Sequence, residues 1–176
     1  MPELITPTVR LQASFLAVVA EFHAEPGQAV PWFVKDVDPA ALTDPGPDAF
    51  AAYVARVLAE RTEAGMRRDA GVPMTTLWWA EGDQLLGRLA IRHRLTPNLE
   101  RIGGHIGYDV RPGARRRGHA TAMLAAALPV AAELGITGAL LTCDKTNTAS
   151  RRVIEANGGR LTATEGNKLR YLLPTT

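Results

Sequence analysis

Four arginines crowd into the stretch Arg111-Pro112-Gly113-Ala114-Arg115-Arg116-Arg117-Gly118-His119-Ala120-Thr121, directly ahead of the strongest helical pattern in the chain. Residue types in this order suit the holding of phosphate. The first N–H groups of a helix have no intrahelical acceptor, and the helix dipole places about half a positive charge there. A phosphate group meets both needs. Gly118 and the small Ala120 let a ligand approach the backbone, and arginine offers paired donors to phosphate oxygens. Taken alone, a basic turn before a helix is more often a solvated loop. The spacing is not G-x-x-x-x-G-K-[ST], and no G-x-G-x-x-G follows a first strand, so nucleotide P-loop and Rossmann readings fit poorly.

Other chemistry-bearing residues are scattered. Trp32, Phe33, Trp78 and Trp79 could line a pocket, although core packing is the commoner fate of aromatics. Trp78 and Trp79 are adjacent, so on a strand they face opposite sides. One of the pair is expected in the core and the other is a candidate for the cleft. Cys143 is the single cysteine, so neither an intramolecular disulfide nor a cysteine-based zinc site can form. A thiol nucleophile needs a base or a depressed pKa, and the neighbouring sequence offers neither, though Lys145 is close.

The elements that must position these residues follow from periodicity. Leu11, Phe15, Val18, Val19 and Phe22 recur at helical spacing, predicting a helix over 8–24. Residues 30–47 are broken by prolines and read as an ordered loop. Phe50, Tyr53, Val54, Val57 and Leu58 predict a second helix, starting after Asp44 to Asp48 and ending near Gly65. Residues 75–80 and 85–93 alternate about Glu81-Gly82-Asp83 as a β-hairpin, and 103–111 follows as a strand. Over 118–134, Ala120, Met123, Leu124, Ala127, Leu128 and Ala131 make one apolar face, Gly135 stands at the C′ position, and Pro129 is expected to kink the helix. A buried strand at 139–142, a short helix at 148–157 and a hairpin of 160–164 with 168–173 complete the order, with a further strand allowed in 3–10. The reading is one mixed α/β domain over 1–176, without repeat or linker.

Bulk properties exclude several classes. An apolar fraction of 46% and a charged fraction of 22% belong to a globular protein, not a disordered one. The opening Met1-Pro2-Glu3 is acidic, and the apolar run 11–20 contains Gln12 and Ser14, so neither a signal peptide nor a membrane span is expected. Cytoplasmic residence is the default expectation. A net charge of only +2 argues against a general nucleic-acid binder, although the arginine cluster leaves a salt-sensitive RNA- or DNA-binding module as an alternative.

Two spaced stretches resemble a family. His105-Ile106-Gly107-Tyr108-Asp109-Val110-Arg111-Pro112 followed by Arg115-x-x-Gly118-x-Ala120 is similar to the central signature of the GNAT superfamily of N-acetyltransferases, a strand, a proline and [Q/R]-x-x-G-x-[G/A] opening a helix. Asn147-x-x-Ser150-x-x-Val153-Ile154-x-x-x-Gly158 is similar to the family's N-x-x-[AS]-x-x-L-Y-x-x-x-G-F stretch, in the right order. The resemblance implies an α/β fold of the α+β type, with a mixed, mostly antiparallel sheet splayed between strands 4 and 5 and about four flanking helices. It implies acetyl-CoA as co-substrate, without a metal. Main-chain groups at Val110 would pair with the pantetheine arm. Backbone amides of Arg115, Arg116, Arg117, Gly118, His119, Ala120 and Thr121 would wrap the pyrophosphate. Asn147 would touch the pantetheine, with Ser150 assisting.

The same resemblance points to His105 as general base, near where the family often carries a glutamate; lining the sheet or capping a loop is the alternative for it. An imidazole with an ordinary pKa near ~6.5 suits the deprotonation of an amine. His93, Glu81 and Glu100 are weaker candidates. The family's frequent tyrosine, credited with protonating the leaving thiolate, falls at Ile154, and its phenylalanine at Gly159. The expected reaction is direct transfer in a ternary complex to a primary amine, borne by a small molecule or a peptide. A homodimer is compatible with the family. A non-catalytic CoA-binding regulatory protein is the competing reading.

Overall fold

The computed structural model describes residues 1–27, 29–43 and 47–176. In chain order the elements are β1 (Glu3–Ile5), α1 (Gln12–Ala24), α2 (Trp32–Lys35), α3 (Pro39–Thr43), α4 (Pro47–Ala59), β2 (Met74–Glu81), β3 (Gln84–Arg92) and α5 (Pro97–Arg101). There follow β4 (Ile106–Val110), α6 (His119–Glu133), β5 (Gly138–Asp144), α7 (Thr148–Ala156), β6 (Arg160–Glu165) and β7 (Lys168–Pro174). The strands form two antiparallel sheets, β1-β2-β3-β4 and β5-β7-β6.

The expected order stands, with additions. The segment read as a loop folds into the short helices α2 and α3, and α5 precedes β4, so the helices exceed the four anticipated. Four- and five-residue helices are too short to show a period. α4 stops at Ala59, earlier than expected, and turns lead to β2. The expected helix start among Asp44 to Asp48 lies partly outside the described residues; α4 is described from Pro47. α6 runs through Pro129, which is exposed, and the ring deprives only the outward-facing turn of a donor.

Two apolar cores flank the first sheet. On one side Met123, Leu124, Ala127 and Ala131 of α6 pack on Leu77, Trp79, Leu89 and Ile91, and the same core continues under the second sheet through Leu141, Ile154 and Tyr171. On the other side α1, α2 and α4 bring Phe15, Phe22, Phe33 and Phe50 onto Trp78 and Leu85. Trp78 and Trp79 thus face opposite sides, and both are core residues, at 1% and 6% exposure. A register shift between Trp79 and Ala80 on β2 interrupts the alternation, so Leu85 and Arg88, three apart on β3, both reach the α1 side.

Candidate active site

The two sheets part between β4 and β5. They touch at one bridge, Gly104 to Leu141, reinforced by the His105 N–H donating to Leu140 O at 2.7 Å. Gly104 has φ +63°, and a Cβ there would lie 2.2 Å from Leu140 O, so a glycine is needed for the strands to meet. The His105 ring closes the same joint: its Nδ1 accepts the Leu140 N–H at 2.9 Å. Burial, then the nearby Arg92 charge, hold the His105 pKa below its ordinary value. Beyond this joint the edge of β4 is open. Arg92 N–H to His105 O and Arg111 N–H to Leu86 O fix which residues face β3. By alternation Ile106, Tyr108 and Val110 present their main-chain groups to the wedge.

At the far end of the wedge lies the loop singled out by the sequence. The backbone N–H groups of Arg116, Arg117, Gly118, His119, Ala120 and Thr121 have no acceptor among the described residues. Arg116 and Gly118 both have positive φ, 63° and 80°, which turns successive amides toward a common side. Gly118 is the helix N-cap and offers no side-chain cap. His119 is oriented from below, its Nδ1 accepting the Trp79 Nε1–H at 3.3 Å.

The arginines divide into two roles. Arg111 grips Glu21 of α1 at 2.8 and 2.6 Å, and Arg115 pairs with Glu25, the residue just past α1, while its Nε donates to Val110 O at 3.3 Å. The Arg111 guanidinium is the main reason the Glu21 carboxyl titrates below its ordinary value. These two arginines lock the loop to α1. Arg116 and Arg117 are exposed, and no ion pair engages them among the described residues.

Across the wedge, α7 supplies Asn147 and Ser150. The Asn147 Oδ1 accepts the Ser150 N–H at 3.0 Å as an N-cap, leaving its amide NH2 outward. Ser150 Oγ meets the Tyr108 hydroxyl at 3.1 Å, a pairing from β4 to α7 that spans the opening. Burial pushes the Tyr108 pKa up to about 12. Ile154 is buried in the core, and a Cβ on Gly159 would lie 2.4 Å from its Cγ2, which excludes a side chain at that position. Cys143 is buried on β5, and desolvation raises its pKa.

The weaker base candidates lie apart. Glu81 pairs with the N-terminus, Glu100 is exposed on α5, and His93 Nε2 is bonded to Thr75 Oγ1 at 2.8 Å. On the α1 side of the first sheet the structure reveals groups the sequence did not single out. Arg88 is 4% exposed, with its guanidinium 4.1 Å over the Trp32 ring and 5.1 Å over Phe33. Asp109 lies opposite it on β4, and burial raises the Asp109 pKa against the pull of Arg88 and Arg115. A cleft of about 480 Å³ opens beside them, lined by Trp32, Lys35, Arg67, Arg92 and Asn98 among others.

A split sheet, an open strand edge and a helix start with free amides match known architecture. The acetyltransferase (GNAT) domain family matches residues 16–160. The chain belongs to the GNAT acetyltransferase family. Solved structures agree in fold: Mycobacterium smegmatis RimJ in complex with CoA-disulfide has a TM-score of 0.64 at 20% identity, over 98% of this chain and 81% of that one. RimL, a ribosomal L7/L12 alpha-N-protein acetyltransferase in complex with coenzyme A as a CoA–cysteine disulfide, reaches 0.66 at 16%, over 98% and 93%. The microcin C7 self-immunity acetyltransferase MccE, in complex with acetyl-CoA and AMP, reaches 0.64 at 11%, over 98% and 92%. No curated protein sequence matches. Among the described residues, no helix of this GNAT acetyltransferase is long and apolar enough to cross a membrane.

Proposed function

We propose that this GNAT protein transfers the acetyl group of acetyl-CoA to a primary amine by direct transfer in a ternary complex. The run of unpaired amides from Arg116 to Thr121 carries the proposal, because it forms an anion cradle at a helix start beside an open strand edge. The groups present fit the co-substrate. The amide run would hold the pyrophosphate, with Arg116 and Arg117 free to meet further phosphate. Val110 would pair with the pantetheine, and the outward amide of Asn147 would reach the same arm. When bound, acetyl-CoA supplies an activated acyl group on a thiol leaving group.

The chain's own groups handle protons. The acceptor amine must be neutral to react. His105 stands at the head of the wedge, neutral at pH 7 because its pKa is depressed. Its one lone pair is the Nδ1 pair now held by the Leu140 N–H, so taking a proton there exchanges that hydrogen bond. Asp109, with its raised pKa on the acceptor side, is the second group able to receive the proton. On the other face of β4 Tyr108, braced by Ser150 across the wedge, takes over the hydrogen-bond donation that Ile154 cannot make. Desolvation keeps the Cys143 thiol protonated, which supports direct transfer over a covalent relay.

Calorimetry with acetyl-CoA, followed by mass spectrometry of a metabolite extract incubated with acetyl-CoA and the protein, tests the reading. Saturable binding and an N-acetylated product are expected. Binding without any acetylated product would favour a regulatory CoA-binding protein, and absence of binding would refute the proposal.

A further inference from the structure

The cleft on the α1 side is about 480 Å³, within the size range of small-molecule sites. Its charges are unequally matched. Arg67 is held by Asp36 and Asp69, and on the adjoining wall Glu60 is held by Arg56 at 2.8 Å. Arg88 and Arg92 have no ion-pair partner among the described residues. The Arg92 Nη1 donates to Gly103 O and Gly104 O, at 3.5 and 3.0 Å, which leaves its Nε and Nη2 without an acceptor among the described residues. Arg88 has ring contacts, and its strongest charged neighbour is the Asp109 carboxyl opposite it on β4. Beside Arg88, the buried Thr76 Oγ1 also lacks a partner, and both line one small cavity behind Trp32.

Arg92 lines the cleft with two nitrogens that have no acceptor among the described residues, donors that an anion can satisfy. The position is suited to the reaction. The Arg92 N–H donates to His105 O at 2.7 Å, so Arg92 sits beside the head of the wedge. Arg88 lies four residues away on the same face, about 13 Å along the strand. Trp32 lines the cleft and stacks on Arg88, which lies behind it in a separate small cavity.

We propose that Arg92 makes the floor of this cleft an anion site, so that the acceptor is a small primary amine bearing its own carboxylate or phosphate. The proposal rests on the acetyltransferase reading of the wedge. A guanidinium recognises either anion through paired N–H donors. Lys35 adds a further cation at the cleft wall.

The test has two arms, both on CoA-saturated protein so that the amide cradle is filled. In the first, calorimetry follows inorganic phosphate and acetate. Saturable binding of at least one is expected, weakened about tenfold or more in Arg92→Met and in Arg92→Gln, with melting temperatures checking the fold. In the second, acetyl-CoA turnover is compared for glycine against glycinamide and for O-phosphoethanolamine against ethanolamine. The anionic member of at least one pair should have a roughly tenfold higher kcat/KM, and Arg92→Met should erase that preference with the acetyl-CoA KM unchanged. Which pair responds separates carboxylate from phosphate. No anion binding in the CoA-saturated wild type, or equal binding in both folded variants, overturns the proposal even if acetyltransfer is real. Preference for glycinamide overturns it in favour of a peptide N-terminus. Failure to bind acetyl-CoA removes the underlying reading instead.

Discussion

The Nδ1 of His105 accepts the backbone N–H of Leu140 at 2.9 Å, while the His105 N–H donates to Leu140 O at 2.7 Å. One residue therefore ties the two sheets at the point where they begin to part. The ring is placed where a general base would serve, and its lone pair is also a structural acceptor. Substitution separates the two roles. His105→Ala should lower both the melting temperature and kcat. His105→Asn can return an acceptor to Leu140 through its side-chain oxygen, so it should recover stability and stay roughly 10²-fold slow, a typical general-base contribution. A fully active His105→Asn would leave His105 as a clamp only and transfer the proton to Asp109.

The pH dependence has a definite sign. Burial and Arg92 lower the folded pKa of His105 beneath 6.5, so the unfolded chain binds a proton that the folded one refuses. The contribution to stability is complete above pH 6.5 and is lost as pH falls below it. The rate should fall over the same acidic side, because the protonated ring has no lone pair. Denaturant unfolding and kcat/KM measured from about pH 5 to 8 should both decline toward acid. His105→Asn should flatten the stability profile there, apart from the part owed to His93, whose pKa is also lowered.

Gly118 tests the cradle. It has φ +80° and nothing within 4 Å of a built Cβ, so the site is open but the backbone favours glycine. Gly118→Asp puts a carboxylate among the free amides while aspartate tolerates this region better than most residues. Acetyl-CoA affinity should fall by at least about tenfold with the circular dichroism spectrum unchanged. Unaltered affinity in a folded variant would remove the pyrophosphate assignment.

Residues acting through local pattern were legible in the sequence, and those acting across the fold were not. The α6 face, the two hairpins and the basic loop ahead of α6 follow from period, turn glycines and a helix start. Arg88 sits in a strand whose alternation calls for an exposed side chain. It is buried because Trp32, from a four-residue helix far away in sequence, lies over it. Glu21 on α1 and Glu25 just past its end carry no local signal of a partner. Their partners Arg111 and Arg115 lie about ninety residues on, so two members of the arginine cluster serve as ties to that helix. Tyr108 is nameable from the sequence as a substitute for the missing tyrosine, but its pairing with Ser150 across the wedge is not.

Tyr108 and Cys143 together decide how the leaving thiolate is handled. With Ile154 at the position of the family's tyrosine, the hydroxyl pair that bridges the wedge is Tyr108 with Ser150. Its pKa of about 12 is well above that of a free thiol, ~8.5, so Tyr108 steadies the thiolate as a hydrogen-bond donor and is a poor source of a complete proton. A hydrogen bond to a charged group is worth about 1.5–3 kcal/mol, or roughly ten- to a hundredfold in rate. Tyr108→Phe should therefore slow kcat within that range without abolishing it, and the acetyl-CoA dissociation constant should change little. Cys143 is 7% exposed, and burial holds its thiol protonated, so it is a poor nucleophile. Cys143→Ala should keep most of the activity, and intact-mass analysis after incubation with acetyl-CoA alone should show no added acetyl group. A stoichiometric adduct that disappears on adding acceptor, joined to an inactive Cys143→Ala, would replace direct transfer with a two-step relay through the thiol. The protonated, desolvated state of Cys143 argues for a clean mass spectrum.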